Sequence, residues 1–521
     1  MQETPSTILI VSFSIYTIGI VMAGLISARF RKDTTDDFYL ASRELGPWAS
    51  ALSASASSES GWVMLGLVGA AFTGGVSTLW LIPGCAAGYF FNWYFVADRV
   101  RRASKKTGAQ TLPELLASRF GERAGLVRGL SLIIIGCAMI AYVSAQMSAS
   151  GKAFEAMFSL PYWVGVVLGA GVIMAYTITG GFRASVWTDV VQSSFMVLSL
   201  IAIPLVMLTH IGGLAGMVNG LRNTGSELLS FSAGNAGFGL LGFVLGWLAI
   251  GWGYPGQPHV LARFMGTRDS RAVRTGGVVA ITWSSVVFLG AITLGLAARV
   301  YFGSLDDPEQ ALPLVAREFM PPVLGGFVLA AIMAAIWSTA DSQLLVVAST
   351  ATRDLRAFFD RSDSRENTRL LSGPDRRYGN VNRRTVFVLG LTAAVLAVSE
   401  TRVIFTFVLY AWSVLGASFG PVIILGLAWK KTTRQGAIGG LLVGSIVSVV
   451  WKNIGTLSGA LYEIVPAFLL SFASVIVVSL VTQPKLIPEE NRRASGNLVT
   501  REGKTSSERG ALITVPAKEE S

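Results

Sequence analysis

Charge is scarce in this sequence. Asp, Glu, Lys and Arg make up 14% of its 521 residues, while 52% are hydrophobic. An ordinary soluble domain carries about 25% charged residues, so a water-soluble globular chain of this length is excluded. Histidine is nearly absent as well. His210 and His259 stand without a Ser/Asp or metal-ligand constellation, which argues against a catalytic histidine. The two cysteines, Cys85 and Cys137, both fall in apolar runs. Neither their number nor their spacing suggests a disulfide framework or a metal centre. No Gly-rich phosphate cradle is present, so direct use of ATP is not expected. Together these absences speak against an enzyme and against any cofactor.

What the sequence does have is long apolar runs. Thr7 to Ala28 carries no charge, is preceded by no Lys or Arg, and is followed by "RFRK". A cleaved signal peptide would place its basic residues in front, so this run reads as a retained first span. With about 20 apolar residues needed per crossing, the chain predicts an all-α polytopic membrane protein of about thirteen spans. They fall near 6–28, 47–72, 79–98, 124–150, 161–179, 187–209, 236–262, 275–299, 322–350, 385–400, 403–429, 435–452 and 462–482. The net charge of +11 would suggest nucleic acid in a soluble protein. Here the basic residues cluster after alternate spans: Arg29, Arg31, Lys32 and Arg43 after the first, and Arg99, Arg101, Arg102, Lys105 and Lys106 after the third. "TGGVST" has no basic residue and "GSLDDPEQ" is acidic. The positive-inside rule then gives an N-out, C-in chain. Residues 1–484 read as the membrane domain, Arg353 to Arg384 as a polar cytoplasmic loop, and 485–521 as a disordered cytoplasmic tail.

Polar residues inside the spans carry the functional signal. "SASASSESGW" (Ser53 to Trp62) puts five serines and Glu59 where a span should be. An ionised group at the bilayer centre costs roughly 2.5–3.5 kcal/mol on insertion scales, so the stretch must line a wet cavity or lie outside the membrane. "AAIMAAIWSTADSQLLV" carries Ser338, Thr339, Asp341, Ser342 and Gln343, and "ASVWTDVVQSSFMV" carries Asp189 and Gln192. In "IGWGYPGQPHVLARFM" three glycines and two prolines make a continuous helix improbable. Close packing of small residues explains Ser53, Ser55 and Ser57. It does not explain Glu59, Asp189 and Asp341, each of which needs a partner. Buried acids, hydroxyls and interrupted helices together point to an ion-coupled transporter.

Six segments carry a resemblance: "SRELGPWASALSASASSESGW", "GGFRASVWTDVVQ", "GYPGQPHVLARFM", "AAIMAAIWSTADSQLLV", "YAWSVLGASFGP" and "VWKNIGTLSGALYEIVPAF". In this order the chain resembles the sodium/solute symporter family, most of all its bacterial proline-carrying branch. The resemblance implies two inverted five-helix repeats, spans 2–6 and 7–11, that alternate access to a central site. It implies a sodium site from the carbonyls of Ala56, Glu59 and Ala335 and the hydroxyls of Ser338 and Thr339, with Asp189 near the ion's path and Arg43 at the cytoplasmic mouth. For the solute it implies Trp62, Tyr142, Tyr254 and Pro258. The function implied is inward sodium flux coupled to L-proline uptake across the plasma (inner) membrane, with sodium, a small zwitterion and lipid as partners and no nucleic acid. A sodium- or proton-coupled carrier of another solute, and a transporter-like sensor, are the alternatives. The chain departs from the branch at Ser58, where an aspartate is usual, and at Ile250, where a tryptophan is usual. The missing charge is then expected from Glu59 or, better, from Asp341, which lies one turn after Ser338.

Overall fold

The computed structural model describes residues 7–29, 34–121, 125–359, 376–399 and 403–483. The expected tail, 485–521, and the middle of the polar loop, 360–375, lie outside the described residues. Every regular element among the described residues is helical, as a chain must be where no water can satisfy the backbone. Ten helical stretches are long and apolar enough to cross a membrane among the described residues. Each of the expected spans falls on helix, with three differences. The fifth and sixth spans lie in one helix, Tyr162–His210, bent at Gly181 (φ 63°, ψ −168°). The third span runs on to Thr107 through a wide turn at Asn92–Ala97. The flanks of the polar loop are helical too: Pro322–Phe359 and Arg376–Ser399 continue past the expected span ends. No proline stands at those ends to stop either helix.

Two helices are interrupted. The second span runs as Pro47–Ser58 and leaves the helix at Glu59 (φ −91°, ψ 77°). It resumes at Trp62–Leu67 and Val68–Gly74. The seventh span runs as Gly237–Ala249, tightens over Ile250–Gly256, is extended at Gln257 (φ −86°, ψ 108°) and resumes at Pro258–Gly266. The proline sits where its missing N–H costs nothing, at the first turn of the new helix. These breaks fall in the first helix of each expected five-helix unit. The seventh-span break is held between the helices Leu81–Phe91 and Ile404–Ala428. That approach requires glycine: a Cβ on Gly88 would lie 2.3 Å from the Gly251 carbonyl oxygen, and one on Gly251 would lie 2.0 Å from that of Gly84.

The interior is packed around large side chains with almost no exposure, among them Trp62, Trp93, Trp337, Tyr89, Tyr142 and Tyr254. The outer face exposes Ile15, Leu198, Leu205, Leu289 and Val477, as lipid-facing residues do. A buried clasp closes one end of the bundle. Lys152, on the helix Leu126–Phe158, pairs with Glu309 at 2.6 Å and Asp307 at 2.9 Å. The Glu309 carboxylate also accepts the N–H groups of Ile404 (2.9 Å) and Phe405 (2.8 Å), capping the helix Ile404–Ala428. A carboxylate at a helix N-terminus is favourable through both the free donors and the dipole. Glu309→Ala leaves the Lys152 ammonium with Asp307 as its one acid and frees both N–H groups. Breaking such a pair costs about 3–5 kcal/mol. The expected result is faster amide hydrogen exchange at the start of Ile404–Ala428, with Arg434–Asn453 unchanged. Equal acceleration in both helices would mean that the clasp is not local.

Candidate functional site

The break in the second span turns its last helical carbonyls toward the ninth span. Ser338 donates to the Ala56 carbonyl oxygen at 2.9 Å and is 3.2 Å from that of Ala335. The Thr339 hydroxyl reaches the same Ala56 oxygen at 3.3 Å. Four of the five expected sodium-site residues, Ala56, Ala335, Ser338 and Thr339, therefore come together, and all four are fully buried. The fifth, Glu59, follows where the chain leaves the helix. Hard oxygens of this kind suit a hard cation. Among the described residues no group of three or more His, Cys, Asp or Glu could hold a metal ion. Ser58 turns its hydroxyl back to the Ala54 carbonyl at 2.8 Å.

The Glu59 side chain points elsewhere. Its Oε1 accepts the hydroxyls of Tyr89 (2.7 Å) and Tyr254 (3.0 Å). The Tyr89 and Tyr254 rings are 4.3 Å apart, and the Tyr254 ring meets Trp412 edge-on at 4.9 Å. The Trp412 indole also donates to the Ile250 carbonyl at 3.0 Å, so an indole does reach Ile250, but from the eleventh span. Trp62 donates to the Ser58 carbonyl at 2.8 Å and packs on Phe288 and Phe405. Tyr142 meets the His259 ring at 6.4 Å. Pro258 lines a separate cleft with Phe38, Thr111, Phe182, Met265 and Ser349. Tyr254 and Glu59 are thus joined directly, while Trp62, Tyr142 and Pro258 make their own contacts.

Asp189 and Asp341 meet around a cation that the sequence reading did not single out. Arg263, fully buried, donates to Asp189 Oδ2 at 3.1 Å, to Ser53 at 3.0 Å and to the His259 carbonyl at 3.0 Å. It also bonds Ser342 and lies over the Phe182 ring at 5.0 Å. Ser53 donates to Asp189 at 2.6 Å. Asp341 accepts from Ser342 at 3.1 Å and Ser185 at 3.3 Å. Ser342 in turn donates to the Ser338 carbonyl at 2.6 Å, which places this cluster next to the hydroxyl pair. Asp341 is therefore in the Arg263 cluster and not beside Glu59. Arg43 lies apart from both. It reaches Asp36 (3.1 Å), Ser104 (2.7 Å) and the Ala109 carbonyl (3.0 Å). It thereby fixes a left-handed run at Ala41, Ser42 and Arg43, a costly backbone that persists only when its surroundings hold it.

A profile of the sodium:solute symporter family matches residues 38–444. The chain belongs to the sodium:solute symporter family. It is 36% identical to the high-affinity proline transporter PutP of Bacillus subtilis, over 87% of this chain and 94% of that one. It is 35% identical to the osmoregulated proline transporter OpuE of the same organism, over 91% and 95%. It is 34% identical to the sodium/proline symporter of Escherichia coli, over 91% and 93%. The substrate-bound, outward-open structure of a Na+-coupled sialic acid symporter shares the fold, with a TM-score of 0.75 at 16% identity over 92% of this chain and 99% of that one. The protein is thus a multi-pass integral membrane transporter with a symporter fold.

Three residues of this symporter's centre went unnoticed in the sequence. Arg263 ends an apolar stretch just past the expected seventh span, where a basic residue reads as a flank. The signal available was that Asp189 and Asp341 both lacked a cation. Tyr89 reads as an ordinary apolar-helix residue, and Trp412 stands in the "YAWSVLGASFGP" segment that carries the resemblance without a role of its own there. Arg263→Gln should leave Asp189 as an uncompensated buried charge, lowering stability by about 3–5 kcal/mol, read as an earlier thermal transition of the purified protein. Adding Asp189→Asn should recover most of that loss. A double variant no more stable than the single one would mean that the ion pair is not what Arg263 supplies.

Proposed function

We propose that this protein is a secondary active symporter that couples inward sodium movement to uptake of L-proline. In this reading it sits in the plasma (inner) membrane with thirteen crossings, N-out and C-in, and works by alternating access between its two five-helix units. The observation that carries the reading is the pair of ninth-span hydroxyls on the Ala56 carbonyl, across the break of the second span. The similarity to proline transporters over nine-tenths of the chain supports the solute, and the Tyr254 and Trp412 rings at the seventh-span break suit a compact pyrrolidine.

In the proposed cycle sodium is cargo, held by the oxygens of Ala56, Glu59, Ala335, Ser338 and Thr339. The hydroxyl protons of Ser338 and Thr339, now spent on the Ala56 oxygen, turn away as the cation takes their place. Asp189 and Asp341 set two acidic groups against the single guanidinium of Arg263. That excess, beside the hydroxyl pair through Ser342, favours a cation on the inner side of the site. The cleft that reaches Pro258 between Phe38, Thr111 and Ser349 serves as the inner vestibule, with Arg43 fixing its wall. Trp62 and Tyr142 belong to the solute side, where their helices border the two breaks.

The test is uptake of labelled proline into proteoliposomes, with sodium and proton gradients imposed separately. Sodium is expected to drive accumulation. Replacing Ser338 and Thr339 together with Ala should raise the sodium concentration for half-maximal uptake by about tenfold or more, equivalent to about 1.4 kcal/mol, before proline affinity at saturating sodium changes. Equal uptake in choline and sodium media would sink the coupling, and failure of millimolar proline to compete would sink the solute.

A further inference from the structure

Glu59 is the one acid of the centre that the mechanism above leaves unexplained, since only its backbone carbonyl is used there. Its carboxylate is fully buried. Oε1 takes two tyrosine hydroxyls, and Oε2 has no hydrogen-bond partner among the described residues. No Lys, Arg or His pairs with it among the described residues, in contrast to Asp189 and Glu309, each of which has its cation. A buried carboxylate without a counter-charge is costly, and two neutral hydroxyls aim it without neutralising it. The hydroxyls also fix its direction. Tyr89 and Tyr254 hold it toward the third span and the break of the seventh, whereas the Ala56 carbonyl faces Ser338 and Thr339 on the ninth. The carboxylate and the hydroxyl pair therefore serve different sides of the same broken helix.

Other polar atoms near the break are buried and unspent. Gln146 Oε1 accepts the Gly61 N–H at 3.0 Å, while its amide nitrogen has no partner. The Tyr142 hydroxyl, one helical turn before Gln146, has none either. These are donors, with no charge of their own, and Glu59 Oε2 belongs to an acid whose ionised form a neighbouring cation favours. Such an acid and a pair of neutral donors around one helix break complement a small zwitterion: ammonium to the first, carboxylate to the second.

We propose that the Glu59 carboxylate anchors the cationic amine of the transported solute, with Tyr89 and Tyr254 as the positioning residues that aim it. The proposal rests on the reading of the protein as a carrier of a proline-like solute. It adds a selection rule: a solute lacking a cationic amine is refused, whatever its ring and carboxylate.

The experiment uses the full-length purified protein with proline, pyrrolidine (amine without carboxylate) and tetrahydro-2-furoic acid (carboxylate with a ring oxygen in place of the amine). In the unmutated protein proline should bind best, pyrrolidine weakly, and tetrahydrofuroic acid not measurably. Glu59→Gln keeps an acceptor for the tyrosines and removes the charge. It should weaken proline binding by about ten- to a hundredfold, the range for a hydrogen bond to a charged group, and abolish competition by pyrrolidine. Glu59→Asp should keep a measurable preference for proline over tetrahydrofuroic acid. Stabilisation by sodium alone, read as a thermal shift without solute, separates a solute anchor from an ion ligand. The proposal is overturned if tetrahydrofuroic acid competes as well as proline in the unmutated protein, a result that needs no variant to fold. It is equally overturned if Glu59→Gln leaves proline affinity intact, or if it abolishes the sodium-induced shift, which would make the carboxylate an ion ligand. If proline does not bind at all, the assignment of the solute fails on its own, and the anchor is judged on whichever solute is carried: one without an amine sinks it.

Discussion

A helix broken inside a bilayer must give its freed backbone groups to something other than water. That constraint organises this protein. At the second-span break the Ala56 carbonyl goes to two hydroxyls of the ninth span, and the Gly61 N–H goes to Gln146 of the fourth. At the seventh-span break the Gln257 amide reaches the carbonyls of Gly253 (3.2 Å) and Trp412 (3.1 Å). Each unwound segment is thus tied to a neighbouring continuous helix by side chains, whose bonds are easier to exchange than a helical ladder. Irregular backbone is tolerated at membrane depth only where protein or a cavity surrounds it, and the same exchangeable bonds make it a site.

Buried charge is handled in three different ways, and the differences sort structure from function. Lys152, Asp307 and Glu309 form a closed set with the N–H groups of Ile404 and Phe405, every partner supplied by the chain. That is a fastener. Asp189 pairs with Arg263, Asp341 joins the same cluster through Ser185 and Ser342, and among the described residues Asp189 Oδ1 and Asp341 Oδ2 have no hydrogen-bond partner. That cluster holds two acids for one arginine, so the second acid has no guanidinium or ammonium partner of its own among the described residues. Glu59 has hydroxyls but no cation. Desolvation makes the three cases rank in that order of cost, and the chain accepts the higher cost where a ligand can offset it.

The class of fold was legible because apolar runs and alternate basic loops are set by the membrane itself. The seventh-span break was legible too, since Gly251, Gly253, Pro255 and Pro258 contradict a continuous helix wherever they stand, whereas the second-span stretch showed only as misplaced polarity. The meeting of Ser338 and Thr339 with Ala56 came from a family resemblance and could not have come from spacing, because it depends on how two spans cross 282 residues apart. The direction of a side chain was the least legible feature. Asp341 and Glu59 were read as alternatives for one missing charge beside the ion. They lie in separate environments, one against Ser185 and Ser342, the other against Tyr89 and Tyr254. Helical period fixes which residues share a face but not which neighbour that face meets.

The second span carries both halves of the proposed coupling within three residues. The Ala56 carbonyl serves the ion and the Glu59 carboxylate serves the solute, and between them Ser57 and Ser58 end the helix by turning their hydroxyls to the Ala54 carbonyl, at 3.2 and 2.8 Å. A cation drawing on the Ala56 oxygen pulls on the same unwound backbone that sets where Glu59 leaves the helix. Coupling of this kind is reciprocal by thermodynamic necessity: whatever the ion does for solute affinity, the solute does for the ion. It also need not be large. One charge moving down about 100 mV releases roughly 2.3 kcal/mol, and about 1.4 kcal/mol is already tenfold in accumulation. A shared short segment with exchangeable hydrogen bonds can carry a coupling of that size, whereas two rigid sites on separate helices would need the whole bundle to relay it.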